Sequence, residues 1–228
     1  MTFTEVMAQL EKLGTAQNRK VYTRHGAGRK MFGVSFANLY ALRKKIKTDH
    51  QLAQRLWRTG YVDAQWLATM IADPAQLTAA EADAWTRDLA QHGRTVGGLF
   101  AGVVAKTPFA DQKMRAWMKS PKEFVRACGY DVLGVRLRDG DTTVTDADCA
   151  KILADIEKII RRAPNWVRYT MNGAVIGIGI YRRGLTAKAL AAAKRIGEVE
   201  VDHGETDCKT PDAVPYIQKA LARGKKKK

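Results

Sequence analysis

The sequence is short of cysteine, of acidic residues and of long apolar runs, and each shortage excludes a class of protein. Three cysteines, Cys128, Cys149 and Cys208, stand far apart among 228 residues, with no Cys-x-x-Cys pair. That excludes a disulfide framework and fits a reducing compartment, with Cys128 and Cys149 read as small buried residues. The longest apolar stretch, about Met171 to Tyr181, falls well short of the roughly 20 residues a membrane-spanning helix needs. The opening Met1-Thr2-Phe3-Thr4-Glu5 has neither a basic nor an apolar leader segment, so the expected location is the cytoplasm. Acids number 23 against 39 lysines and arginines, giving a net charge of +16. An excess of that size points to a polyanionic partner, with nucleic acid ahead of an anionic membrane surface.

The positive charge is uneven. Residues 1–60 carry twelve basic residues against three acids, whereas residues 61–90 carry one against five. This alternation predicts a basic surface with at least one acidic helix pair turned away from it. Hydrophobic residues at 46% and charged residues at 27% are ordinary for a globular chain, which excludes wholesale disorder.

Apolar residues recur at three- and four-residue steps over nearly the whole length, so the predicted class is all-α. Phe36, Leu39, Tyr40, Leu42 and Ile46 form one stripe, with Arg43, Lys44, Lys45 and Lys47 on the polar face. Leu52, Leu56 and Trp57 continue to a stop at Thr59-Gly60, and Val62, Trp66, Leu67, Met70 and Ile71 form the next helix. Thr78-Ala-Ala-Glu81 has capping-box spacing, and Ser120-Pro121-Lys122-Glu123 is the clearest start signal, opening a helix to about Arg138. Thr145-Asp-Ala-Asp148 opens another to Arg162. Asn165 to Ile180 has some strand-like alternation, but its length favours helix, and Leu185 to Ile196 is an alanine-rich helix. Short connections force about five antiparallel hairpins. No strict repeat consensus recurs, so the expected architecture is a degenerate HEAT-like helical repeat, an α-α superhelix with a concave basic face. Residues 1–198 would form this array, and residues 199–228 a C-terminal extension ending in the tail Lys225 to Lys228.

Phe32-Gly33-Val34 precedes a basic helix, Leu52-Ala-Gln-Arg-Leu-Trp57 is followed by Leu67-Ala68, and Val104-Ala-Lys-Thr-Pro108 follows a glycine-rich helix. Trp117, Glu123-Phe-Val-Arg126, Gly129-Tyr130 and Asn165-Trp-Val-Arg168 come next in order. Together, over roughly residues 30–197, these segments resemble the AlkD-like family of DNA alkylation repair proteins, the HEAT-like-repeat alkylpurine DNA glycosylases. The resemblance implies a monomer without cofactor that grips duplex or alkylated DNA, with an aspartate and two tryptophans flanking the alkylated nucleotide. An N-alkylated purine is already a cationic leaving group, so that carboxylate need only stabilise the developing oxocarbenium charge. This sequence departs from the pattern there. The aspartate position falls at Gly97 and the tryptophan positions at Gly93 and Gly173, while the arginine positions fall at Ile176 and at Ala127 beside Arg126. No Asp or Glu occurs between Asp88 and Asp111, so a slipped alignment does not restore the carboxylate. The resemblance implies the scaffold and the DNA, but not the reaction.

Two other classes stay open. A repair enzyme using different groups would draw on the stretch Asp202 to Cys208, with Asp202, His203 and Glu205 as candidate catalytic residues. A single histidine and a single cysteine do not make zinc spacing, so no metal is expected, and a polar turn explains the cluster equally well. A protein-interaction scaffold is the other class, because helical arrays also bind polypeptides. For DNA, the candidate phosphate contacts are Arg29, Lys30, Lys44, Lys45, Lys113, Arg126, Arg161, Arg162, Arg168, Arg182 and Arg183, any of which could equally be a solvated face. His25-Gly26-Ala27-Gly28-Arg29-Lys30 is a glycine-basic loop whose amides could cradle a backbone phosphate. Gly97, Gly98, Gly173, Gly177 and Gly179 stand where alanine would favour a helix by roughly 1 kcal/mol each, marking close helix packing or an approach to DNA. The five tryptophans are read as core, with Trp166 having the best claim to a surface role.

Overall fold

The computed structural model describes residues 1–91 and 94–225, and every regular element among them is helical. Gly93 and the tail residues Lys226 to Lys228 lie outside the described residues. The chain divides into two compact units.

The first unit comprises Met1–Ala110 with Gly204–Thr206. It holds α1 (Phe3–Leu13), α2 (Ala16–Arg24), α3 (Phe36–Ile46), α4 (His50–Arg58), α5 (Val62–Ile71), α6 (Ala79–Asp88) and α7 (Arg94–Val104). The first two helices precede the first one read from the periodicity, and both open on threonine caps. Thr2 and Glu5 make a full capping box, and the Thr15 hydroxyl accepts from the Asn18 amide. Every residue of α5 except Met70 is buried, so this helix is the unit's axis. Burying Asp63 there would be costly without partners. Its carboxylate accepts from the amides of Phe32, Gly33 and Val34 at 2.6–3.1 Å, tying the segment before α3 to α5. Gly33 sits at φ +85°, and a Cβ there would stand 2.4 Å from the Thr15 carbonyl oxygen, so the Phe-Gly-Val segment requires its glycine.

Tryptophans fill this core as expected. Trp57 stacks on Trp85 with centroids 4.2 Å apart and planes 5° from parallel, and Phe100 leans against both. Such pairs add about 0.5–1.5 kcal/mol beyond simple burial. The box at Thr78 is only half made. Its hydroxyl accepts from the Glu81 amide, while the Glu81 carboxylate turns away to the buried His50 at 3.2 Å.

The second unit comprises Asp111–His203 and Asp207–Lys228. It holds α8 (Ala110–Trp117), α9 (Glu123–Arg138), α10 (Asp146–Ile159), α11 (Asn165–Tyr181), α12 (Thr186–Ile196) and α13 (Ala213–Lys225). The segment from Asn165 is one helix, with nothing of a strand in it. The Ser-Pro-Lys-Glu signal misplaces the start of α9, which begins at Glu123 without a side-chain cap. Ser120 accepts from the Lys122 amide within a tight turn, and Glu123 reaches across to accept from the Trp166 amide at 2.7 Å. The predicted cap of one helix is thus the actual cap of another, because a carboxylate satisfies whichever free helix amide the fold brings nearest.

Small residues set how closely these helices approach. A Cβ at Gly129 would stand 2.6 Å from the backbone nitrogen of Met118, so α9 lies directly on the end of α8. One at Gly179 would stand 2.7 Å from Ile217 of α13. Among the five glycines noted from sequence, only Gly179 marks such a contact. Gly97 and Gly177 have ordinary room beside Leu89 and Leu137, and Gly98 and Gly173 face open space. Arg136 is 3% exposed and holds Asp111, Asp141 and Thr143 at 2.6–2.8 Å. This buried cation, unremarked in the sequence, ties α8, α9 and the turn before α10 together.

Candidate nucleic-acid interface

The cations separate into those the fold uses and those it leaves to solvent. In the first unit, Arg43, Lys44 and Lys45 are exposed on the last turn of α3. There they also complement the negative end of the helix. Tyr40, 51% exposed, precedes Arg43 and Lys44 by one turn on the same face. Arg29 is exposed. Lys30 is engaged, because its ammonium donates to the Thr59 carbonyl and lies 4.8 Å from the Tyr61 ring, itself stacked on Phe32. The loop from His25 is a poorer phosphate cradle than its glycines suggest. The amides of His25, Gly26 and Ala27 all close the end of α2 on the carbonyls of Val21, Thr23 and Tyr22.

In the second unit the arginine pairs divide. Arg161 donates to the carbonyls of Arg195 and Ile196 and so finishes α12, whereas Arg162, exposed like Arg161, makes no such bond among the described residues. Arg182 donates to the carbonyls of Asp141 and Val144, stapling the turn before α10, whereas Arg183 is exposed. Arg126 and Arg168 are half-buried, each with an Nε that lacks an acceptor. Lys113 is half-buried as well. Pairing by sequence could not reveal this division, since it depends on which carbonyls end nearby.

Exposed aromatic rings are the feature that composition hid. Among the described residues the exposed large apolar side chains are Met1 and three tyrosines, Tyr40, Tyr181 and Tyr216. Each tyrosine has cations beside it. Tyr40 has Arg43 and Lys44 one turn on, Tyr181 is within electrostatic reach of Arg138, itself paired with Asp139 at 2.9 Å, and Tyr216 has Lys219 and Arg223 along its face of α13. For Tyr40 and Tyr216 the signal available in sequence was a basic residue three, four or seven positions on, whereas the cation near Tyr181 comes from another helix.

Of the positions that the family resemblance aligns with the glycosylase aspartate and tryptophans, Gly97 and Gly173 are described. Gly97 is buried against Leu89, and Gly173 is exposed with nothing to hold a ring. Asp88, the acid nearest to Gly97 on its N-terminal side, accepts from the Trp57 indole at 2.9 Å. Of the loop candidates, Asp202 is pinned through its backbone by the Asn165 amide side chain, and its own side chain is exposed. His203 lies edge-on to Trp166 and Tyr169, with its Nε2 3.0 Å from Thr210 Oγ1. Glu205 is exposed and falls with the first unit. Trp166 is half-buried in that ring cluster. Among the described residues no group of three or more His, Cys, Asp or Glu could hold a metal, and no helix is long and apolar enough to cross a membrane.

Comparison with known proteins agrees with this scaffold. Residues 6–169 match the family model of the DNA alkylation repair enzymes. An uncharacterised protein of Listeria monocytogenes is 27% identical over 229 residues, covering 99% of this chain and all of its own. One from Listeria innocua is 26% identical over 227 residues, covering 98% of this chain and 99% of its own. A solved structure superposes with a TM-score of 0.89 at 27% identity, over 98% of this chain and 95% of that one. It is described as a new family of proteins related to the HEAT-like repeat DNA glycosylases with affinity for branched DNA structures. The fold is therefore all-α and HEAT-like, and the chain belongs to the DNA alkylation repair enzyme family.

Proposed function

We propose that this protein is a cytoplasmic, monomeric DNA-binding member of its family that holds branched or partly unpaired DNA and does not excise alkylated purines by the carboxylate route. The observation that carries this reading is the setting of Tyr40, Tyr181 and Tyr216, solvent-facing rings each flanked by cations. A base stacked on such a ring gains about 1–3 kcal/mol whatever its identity, and the adjacent cations take the phosphates on either side. A closed duplex hides its base faces, whereas a branch point offers them. The affinity of the solved relative for branched DNA supports the same preference. Duplex arms, alkylated or not, would be held through phosphate contacts from Arg29, Lys44, Lys45, Arg162 and Arg183, whose side chains are exposed. Gly97 and Gly173 supply neither the carboxylate nor the ring that the excision chemistry needs.

The test is binding of a four-way junction and of a linear duplex of the same sequence at two salt concentrations, with a duplex carrying one N-alkylated purine in parallel. Junction binding that exceeds duplex binding and weakens steeply with salt is the expected result. Salt-insensitive binding would point to a protein-interaction scaffold instead. Strand breaks at the alkylated purine after alkaline treatment would overturn the denial of excision and send attention to Asp202, His203 and Glu205.

A further inference from the structure

A cleft of about 330 Å³ opens between α8, α9 and α10 in the second unit, within the range of roughly 300–1,000 Å³ typical of small-ligand sites. Its floor is apolar, formed by Met118, Ile152 and Ile159 with the buried ring of Tyr130 behind. Lys119, Lys151 and Lys158 stand at its rim, exposed and without an ion-pair partner among the described residues. Arg126 lines one wall, with its guanidinium towards the Tyr130 hydroxyl and its Nε lacking an acceptor. The other cation present, Arg115, is already engaged by Asp111 and Asp148. Asp148 is engaged twice, since it also closes the capping box of α10. One carboxylate, Asp155, is left between Lys151 and Lys158 on their face of α10.

We propose that this cleft binds a nucleoside 5′-phosphate. A phosphate alone would be satisfied by the lysines and would leave the apolar floor uncovered. An apolar ligand would leave three lysines and Asp155 without purpose. A planar base on Met118, Ile152 and Ile159 covers the floor, its amino group faces Asp155, and its phosphate lies among Lys119, Lys151 and Lys158. Two sources carry this chemistry: a free nucleotide, and an unpaired 5′-phosphorylated nucleotide at a DNA end. The second source rests on the DNA-binding reading above, and the first does not.

The experiment is calorimetric titration of the full chain with dAMP, adenosine and inorganic phosphate, repeated on Lys151→Glu/Lys158→Glu and on the milder Lys151→Gln/Lys158→Gln. Both lysines are exposed, so far-UV circular dichroism should be unchanged. dAMP is expected to bind at least about tenfold more tightly than adenosine or phosphate, and the charge reversal should weaken dAMP by about tenfold or more. A second arm compares duplexes carrying a short overhang with and without a 5′-phosphate. A phosphate preference that disappears in both variants assigns the cleft to a DNA end, and its absence alongside tight dAMP binding assigns it to the free nucleotide. The proposal is overturned if neither dAMP nor the phosphorylated overhang depends on Lys151 and Lys158. A protein that binds no DNA but still takes dAMP would refute the DNA reading and leave the cleft standing.

Discussion

Gly129→Ala should destabilise this protein, although alanine is the better helix former. The exchange by itself favours α9 by about 1 kcal/mol. Against that, the new Cβ would meet Met118 N at 2.6 Å, the Trp117 carbonyl carbon at 3.0 Å and the Met114 carbonyl oxygen at 3.1 Å. All three are backbone atoms, so no side chain can swing aside. To reach an ordinary contact distance the end of α8 must retreat by roughly 0.8 Å, and interiors this dense transmit such a shift. Overpacking costs about 1–3 kcal/mol, and more where backbone must move, so a net loss near 2 kcal/mol is expected. For a chain of this size that lowers Tm by about 4–8 °C, read by thermal circular dichroism. Gly173→Ala is the matched control, because its Cβ enters open space on α11, and it should raise Tm by about 2–4 °C. Gly129→Ala melting at or above the wild-type temperature would refute the reasoning.

Glu123→Ala removes the acceptor of the Trp166 amide, and it should lower stability by about 1 kcal/mol, as loss of a helix cap does, although Glu123 belongs to a different helix. Asp141 gives a pH prediction. Burial opposes its ionisation most strongly, but hydrogen bonds from Thr143 and Arg136 outweigh it and bring the pKa to about 2 from an ordinary 3.8. Its stabilising contribution is present above pH 4 and is lost as pH falls from about 4 to 2, amounting to about 2 kcal/mol. Asp141→Asn should flatten the acid limb of a pH-stability curve over that interval, and an unchanged limb would contradict this. Lys44→Ala/Lys45→Ala should reduce the slope of log affinity against log salt by up to about two for duplex DNA. Tyr40→Ala should leave that slope alone and weaken junction binding by about 1–3 kcal/mol; an equal effect on closed duplex would argue against base stacking.

The amino-acid order alone made the helical class, the order of most helices and the family legible. Those properties lie in periodicity and caps, which are local: Thr2, Thr15, Thr78 and Thr145 each cap the helix that follows them. It also shows that no Asp or Glu lies from 89 to 110, the stretch where the family resemblance would place a carboxylate, and that absence needs no coordinates. What the cations do was not legible there. Arg136 is buried, Arg161 and Arg182 donate to carbonyls at turns and helix ends, and Arg162 and Arg183 beside them make no such bond among the described residues. Arg161 and Arg162 lie in a 3-10 turn, where adjacent residues point about 120° apart. Arg182 and Arg183 lie where one helix stops and the next turn starts, so a pair that looks alike in sequence meets different carbonyls. The glycines divide for the same reason: Gly129 and Gly179 are filled by α8 and α13, and Gly98 and Gly173 by nothing. Which groups from distant segments meet depends on the packed fold, and it is those meetings that turn some charges into scaffold and leave others to solvent.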